Sequence, residues 1–176
     1  MRLLRIGFGI ALVLVLILIA VVRLLPDSYS VRRSILITAR PEAIFPLLDS
    51  PQGWLRWSVW AKRDPAMKLS YSEPSQGTGA SWRWQSRSEG NGAMTLTRVS
   101  PAQKVEYELS FGNGQNPMHG SITLIAQGDQ TQVVWEAHGN AGTSWAMKLF
   151  IPFMDTMIGK DFNEGLQLLK KTAQAS

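Results

Sequence analysis

The chain has 176 residues, of which 45% are hydrophobic and 18% charged, a composition typical of a globular protein rather than a disordered one. It contains no cysteine, which excludes a disulfide framework, a thiolate nucleophile and a cysteine-based metal site. The formal net charge is +5, but residues 1–25 contribute three arginines and no acid, so the rest is close to neutral and we expect no nucleic-acid partner.

An uninterrupted apolar run from Ile6 to Val22 dominates the N-terminal region. If the Arg23 side chain snorkels, residues 6–25 form an apolar segment of about 20 residues, which as a helix is long enough to cross a bilayer. The competing interpretation is a cleaved signal peptide, but the run is long and no small-x-small site follows it. We predict that residues 1–25 form a single-pass transmembrane anchor whose partner is the lipid bilayer.

The positive charges on the two sides of this segment bear on its orientation. Arg2 and Arg5 precede the apolar run, and Arg23 follows it. Lys and Arg near a span favour the cytoplasmic side. We expect a short cytoplasmic tail and a periplasmic domain, with a domain on the cytoplasmic side as the alternative.

After a predicted linker at residues 26–29, the pattern indicates one strand and then two short helices. The strand is expected at residues 29–38, where β-branched residues alternate. Pro41 suits the first position of the first helix. In the second helix, which begins near Pro51, three tryptophans recur three residues apart and can share one helical face: Trp54, Trp57 and Trp60.

Six further segments between residues 67 and 138 predict β-strands, because apolar and polar residues alternate between turn residues. The alternation places Trp82 and Trp84 on one face of their strand, and Tyr107 on the apolar face of another. Asn91-Gly92 predicts a hairpin turn, since both residues tolerate positive φ. Seven short antiparallel strands with helices before and after them predict an α+β domain with one strongly curved sheet.

The last apolar-periodic segment, residues 144–171, predicts a long C-terminal helix. Ile158, Phe162, Leu166 and Leu169 recur at helical spacing, and Pro152 predicts a break or kink before them. Methionines and aromatic residues upstream suit either a packed core or the adaptable wall of a cavity. These residues are Phe150, Phe153, Met154 and Met157.

The order of a strand, two short helices, six antiparallel strands and a long C-terminal helix is similar to that of the START-like helix-grip superfamily. Four segments carry the resemblance: ITARPEAIF at 37–45, GWLRWSVWAKRDP at 53–65, GTGASWRW at 77–84 and GKDFNEGLQLLK at 159–170. Within that superfamily, residues 30–172 resemble the bacterial polyketide cyclase/dehydrase-like (SRPBCC) group, leaving residues 173–176 as a tail. The resemblance implies a sheet wrapped around the C-terminal helix, with a cavity between them for an apolar or aromatic small molecule.

No set of residues in the sequence forms a recognisable catalytic or metal-binding motif. The two histidines, His119 and His138, lack the spacing of a helical metal pair, and no G-x-S-x-G sequence is present. We therefore expect no catalytic residue, no metal and no cofactor.

Together these observations predict a membrane-anchored protein of the bacterial inner membrane that binds a hydrophobic small molecule or lipid without catalysis. The predicted ligand-binding residues are Trp82, Trp84, Tyr107, Phe150, Phe153, Met154 and Met157. Trp54, Trp57 and Trp60 are predicted at the pocket rim or the membrane interface. The alternatives are a cyclase or aromatase-type enzyme, and an envelope interaction module whose cavity is collapsed by aromatic side chains.

Overall fold

The computed structural model describes residues 2–112, 114 and 116–175, and the side chains of residues 2–6, 8 and 18 lie outside that description. The helices are α1 (Arg2–Leu24), α2 (Pro41–Ile44), α3 (Pro51–Leu55), α4 (Val59–Arg63), α5 (Trp145–Phe150) and α6 (Met154–Gln174). The strands are β1 (Ser28–Ile37), β2 (Lys68–Ser72), β3 (Ser81–Gln85), β4 (Asn91–Ser100), β5 (Lys104–Phe111), β6 (Met118–Gln127) and β7 (Gln130–Asn140). Short 3-10 turns follow α2 at Phe45–Leu47 and α5 at Ile151–Phe153.

The seven strands form one antiparallel sheet in the order β1-β7-β6-β5-β4-β3-β2. Strands β2 to β7 therefore follow each other as a meander, and β1 closes the sheet by pairing with the last strand. The β6–β7 hairpin turns at Gly128, whose φ of 66° is the left-handed conformation that glycine adopts without strain. This arrangement, with a long helix after the last strand, confirms the predicted seven-stranded antiparallel sheet.

One predicted turn is wrong. Asn91 and Gly92 do not turn the chain but begin β4, where they pair with Gln85 and Trp84 of β3. Glycine is required at 92 for another reason, because a Cβ there would lie 2.6 Å from the Ser110 carbonyl oxygen and would collide with the Trp84 ring. The connection between β3 and β4 is instead the segment 86–90, in which Gly90 has a φ of 73°.

Helix α6 packs the predicted apolar stripe into the core. Phe162, Leu166 and Leu169 are at most 1% exposed, and Ile158 is half-buried against them. The predicted break at Pro152 is present as the 3-10 turn between α5 and α6. Gly165 lets the helix approach the sheet, since a Cβ there would lie 2.8 Å from the Trp135 ring. The long C-terminal helix is thus confirmed, with its inner face set by these residues.

The N-terminal helix α1 ends at Leu24, four residues before β1 begins at Ser28. Its described apolar side chains are about half exposed, for example Leu14 at 60% and Ile17 at 53%. Among the residues that the structure describes, no helix satisfies the length and hydropathy needed to span a membrane. The predicted anchor at 1–25 includes side chains outside the described residues and stays a prediction.

Candidate ligand-binding cavity

A cavity of about 290 Å³ lies between α3–α4 and the half of the sheet formed by β2 to β5. Its apolar wall comes from Trp54, Leu55, Trp60, Ala61, Met67, Leu69, Trp82, Trp84, Met94, Leu109 and Phe111. Three polar residues complete the lining, Ser58, Ser88 and Glu89. An apolar cavity with a few polar groups is the usual form of a small-molecule site.

Aromatic rings form much of the cavity wall, and the packing of these rings fixes their orientation. Trp84 meets Phe111 edge to face, with ring centroids 5.8 Å apart and planes at 83°. Trp54 packs on Trp82 at 5.9 Å, and its indole N–H donates to the Leu48 carbonyl oxygen at 2.8 Å. Because that polar atom is satisfied within the fold, Trp54 contributes an apolar surface to the cavity.

The charged group in the lining is the Glu89 carboxylate, whose side chain is 18% exposed. Arg63 lies beside it, with Nη1 3.9 Å from a Glu89 oxygen. The Arg63 guanidinium also donates to Asp161 at 2.6 Å and to Glu164 at 3.0 Å on α6. The hydrogen bond to Asp161 is the main reason why the Arg63 pKa lies above its usual range. This network links the cavity lining to the C-terminal helix.

Large aromatic rings pack beneath α6, and this cavity lies beside them, not between the sheet and the C-terminal helix where the sequence predicts it. None of the lining residues belongs to the described part of α6. Trp135 stacks on Phe162 with centroids 3.9 Å apart and planes at 7°, and Trp57 meets Trp135 at 5.2 Å. These large rings occupy the volume beneath the helix and leave the cavity beneath α3–α4.

The predicted ligand-binding residues divide into three groups. Trp82 and Trp84 line the cavity. Tyr107 lies in the core, where its hydroxyl accepts a hydrogen bond from Trp135 Nε1 at 2.8 Å, and burial raises its pKa. The remaining four do not line the cavity: Phe150, Phe153 and Met157 are 55%, 60% and 57% exposed, and Met154 is half-buried.

The predicted rim residues also separate. Trp54 and Trp60 line the cavity, whereas Trp57 is fully buried and donates from Nε1 to the Leu47 carbonyl oxygen at 2.9 Å. They do not share one helical face, because α3 ends at Leu55 and α4 begins only at Val59. Trp57 therefore belongs to the core and not to a membrane or pocket rim.

The sequence prediction includes none of the non-aromatic lining residues, and it also omits Phe111. Leu109 and Phe111 share the apolar face of β5 with Tyr107, so the alternation in that strand was an available signal. Leu69 pairs with Trp84 across β2 and β3, which only the strand register reveals. Ser88 and Glu89 follow β3 in a connection that carries no pattern in the sequence. Within the described residues, no group of three His, Cys, Asp or Glu residues could hold a metal ion.

Comparisons with known proteins agree with this architecture. A family model described as "Polyketide cyclase / dehydrase and lipid transport" matches residues 28–174. Protein CV1439 from Chromobacterium violaceum superposes with a TM-score of 0.59 at 15% identity, covering 83% of this chain and 96% of that one. Ara h 8.0201 superposes at 0.60 with 12% identity, covering 85% and 99%.

A third similar structure is the di-domain ARO/CYC BexL from the BE-7585A biosynthetic pathway, with a TM-score of 0.59 and 16% identity. The match covers 85% of this chain and 51% of BexL. No curated protein sequence matches the chain. At these identities the structural likeness shows the fold alone.

Proposed function

We propose a binding function for this chain, which belongs to the polyketide cyclase/dehydrase and lipid transport family. It holds one hydrophobic small molecule in the cavity between α3–α4 and strands β2 to β5, and α1 anchors it in a membrane. The observation that carries the proposal is the cavity of about 290 Å³, lined mainly by aromatic and other apolar side chains.

The size of the cavity restricts the ligand. Its volume of about 290 Å³ lies just below the roughly 300–1,000 Å³ range of small-molecule sites. A compact ring system or a short segment of a lipid fits this volume, and a whole phospholipid does not. Flat rings are favoured because Trp82, Trp84 and Phe111 offer aromatic faces and edges for stacking.

The polar lining adds one chemical preference. The Glu89 carboxylate accepts hydrogen bonds and carries negative charge, and its nearest cation is Arg63 at 3.9 Å. A ligand with a hydroxyl or amine at one end can donate to this carboxylate while its rings contact the tryptophans. The cavity also argues against an interaction module whose interior is wholly collapsed.

The anchoring part of the proposal rests on α1. The helix of 23 residues carries a run of exposed apolar side chains and has Arg23 in its last turn. An apolar helix with cations at its ends suits a bilayer, since the charges reach the headgroups. We expect the full chain to stay with membranes after alkaline carbonate washing, and release into the wash would contradict the anchor.

Binding can be tested with a substitution that fills the cavity and leaves the protein surface unchanged. Met94, which is 4% exposed, lies on β4 in the cavity wall. A Met94→Trp substitution should occupy the space that the ligand needs, at a cost of about 1–3 kcal/mol in unfolding free energy from overpacking. Phe153→Trp on the exposed face of the 3-10 turn is the matched control, because it adds an indole outside the cavity.

Native mass spectrometry of the detergent-extracted full chain measures both co-purified ligand and added N-phenylnaphthylamine. The parent chain and Phe153→Trp should carry one bound molecule, and Met94→Trp should carry none. Equal binding by all three variants, or no binding by the parent, would overturn the binding function. Conversion of an added polyketide-like compound, abolished by Glu89→Gln, would favour the cyclase alternative.

A further inference from the structure

We propose that the α5–α6 patch rests on the surface of the bilayer that holds α1. The patch consists of four exposed apolar residues, Trp145, Phe150, Phe153 and Met157. The inference rests on the anchoring role proposed above for α1, and it is independent of what the cavity binds.

The patch is concentrated at one place in the fold. Its four residues are between 55% and 64% exposed and lie within 13 residues of chain. Phe150 ends α5, Phe153 ends the 3-10 turn that follows, and Met157 lies in the first turn of α6, so the three residues lie at the junction of these elements. The described strands also expose large apolar side chains, for example Leu36 and Ile125, which lie on either side of Gln132. Scattered apolar residues are normal on a surface, whereas a contiguous group marks an interaction site.

The domain does not need these residues for its own core. The inward positions of the same segment are already buried, with Ile151 at 4% and Phe162 at 1% exposed. Asp155 of α6 pairs with Arg33 of β1, whose Nη1 lies 2.9 Å from the Asp155 carboxylate. The segment is therefore held to the sheet on one side while the patch points away from the core.

Contacts at the end of α1 place the patch next to the proposed membrane. Asp27 lies three residues after the end of α1. Its carboxylate forms an ion pair with Lys148 of α5, whose Nζ is 2.5 Å away. The Asp27 carbonyl oxygen also accepts from the Ala141 backbone N–H at 2.8 Å, just after β7. Helix α1 itself contacts α5. The point where the chain leaves α1 is thus fixed to the helix that carries the patch.

The composition of the patch suits the boundary between headgroups and acyl chains. Tryptophan and other aromatic residues concentrate at that level of a bilayer. Arg23 lies in the last turn of α1, where a cation attracts anionic headgroups. Tethering by α1 keeps the bilayer at a high effective concentration, so that even a small apolar area is enough to keep the patch in contact. A second copy of the chain is not tethered to the patch and therefore lacks this high effective concentration.

The chain offers a direct test because it contains no cysteine. A single cysteine introduced as Phe153→Cys carries an environment-sensitive bimane label, and Ile125→Cys on β6, which is 43% exposed, is the matched control. The full chain is reconstituted in vesicles of phosphatidylethanolamine and phosphatidylglycerol that contain lipid with a nitroxide near the headgroup. We expect the label at 153 to shift to the blue and to be quenched, and the label at 125 to do neither.

A second variant separates the protein surface from the label's own affinity for lipid. In the Phe153→Cys chain, Phe150→Ser with Met157→Ser should reduce the quenching and leave the melting temperature unchanged. Leu36→Ser, at an exposed apolar position on β1, should leave the quenching unchanged. If the patch serines have no effect on the quenching, the proposal is overturned.

Flotation of the same vesicles distinguishes failure of the patch from failure of the anchor. A chain that floats with the vesicles but shows no quenching at 153 retains the anchor and overturns the patch proposal. A chain that does not float overturns the anchor, and with it the patch proposal, whatever the cavity binds. Spectral changes at 153 that depend on the protein-to-lipid ratio and not on the nitroxide would assign the patch to contact between two copies.

Discussion

The hydroxyl of Tyr107 fixes the position of Trp135 at the centre of the core. Both side chains are at most 2% exposed, and the Trp135 Nε1–H donates to the hydroxyl at 2.8 Å. Gly120 is the residue opposite Tyr107 on β6, and a side chain there would collide with the phenol ring. A buried donor without an acceptor costs free energy, so this pair depends on the phenol oxygen.

Replacing Tyr107 by Phe should therefore destabilise the domain more than the loss of a surface hydroxyl. We expect Tyr107→Phe to lower the free energy of unfolding by about 1–3 kcal/mol, because the Trp135 N–H is left buried and unpaired. Tyr71→Phe, at a position on β2 that is 46% exposed, is the control and should stay within about 0.5 kcal/mol of the parent. Chemical unfolding in a mild detergent measures both variants. Equal losses of unfolding free energy in the two variants would show that the hydrogen bond does not stabilise the domain.

At the scale of one element, the C-terminal helical segment has two apolar sides with opposite environments. Phe162 stacks on Trp135 and is 1% exposed, whereas Phe153 is 60% exposed. Apolar periodicity in the sequence identifies both sides but does not tell which one has a partner. The periodicity therefore predicts the buried stripe through Phe162, but it does not reveal that Phe153 and Met157 are exposed and lie outside the cavity lining.

Alanine substitutions on the two sides of this segment should have different costs. Phe162→Ala removes a fully buried ring and should cost about 3–5 kcal/mol in unfolding free energy. Phe153→Ala removes a ring that the folded domain leaves in solvent and should change stability by at most about 0.5 kcal/mol. Thermal melts of the two variants in detergent compare the losses directly. A core-sized loss for Phe153→Ala would mean that the patch packs inside the domain.

The strands show which structural features a local sequence pattern predicts and which it does not. Alternation placed Trp82 and Trp84 on one face of β3, and both line the cavity. The Asn91-Gly92 pair predicts a turn, because the sequence alone does not distinguish a glycine that adopts positive φ from one that makes room for an aromatic ring. Gly92 makes room for the Trp84 ring. Such a requirement depends on the partner strand and is absent from the local sequence.

For the whole molecule, the order of elements was predictable from the chain, and the position of the cavity was not. The cavity lies away from α6 because Trp57, Trp135 and Phe162 fill the space beneath that helix. These three residues come from a loop, a strand and a helix that are far apart in sequence. The periodicity within a single segment does not predict that these three side chains are in contact.

The domain from Asp27 onwards should fold without α1. Its core is built from β1 to β7, α2 to α4 and α6, and the ion pair between Asp27 and Lys148 should stay intact when residues 1–25 are deleted. We expect the shortened chain to melt cooperatively and to bind N-phenylnaphthylamine as the full chain does. A melt without a cooperative transition would show that α1 contributes to the core. As a control, Met94→Trp in the shortened chain should melt cooperatively and fail to bind the dye.

The indole cluster has an optical consequence. Trp54 lies 4.8 Å from Trp57 and 5.9 Å from both Trp82 and Trp135, while Trp60 lies 6.3 Å from Trp135. Indoles at such separations pass excitation energy to one another before they emit. Energy absorbed by any indole of the cluster can therefore be emitted by a ring that borders the cavity. A ligand that quenches this ring also reduces the emission that originates from its neighbours. We therefore expect a quenching occupant of the cavity to lower the ultraviolet emission of the unlabelled chain by more than the contribution of one tryptophan.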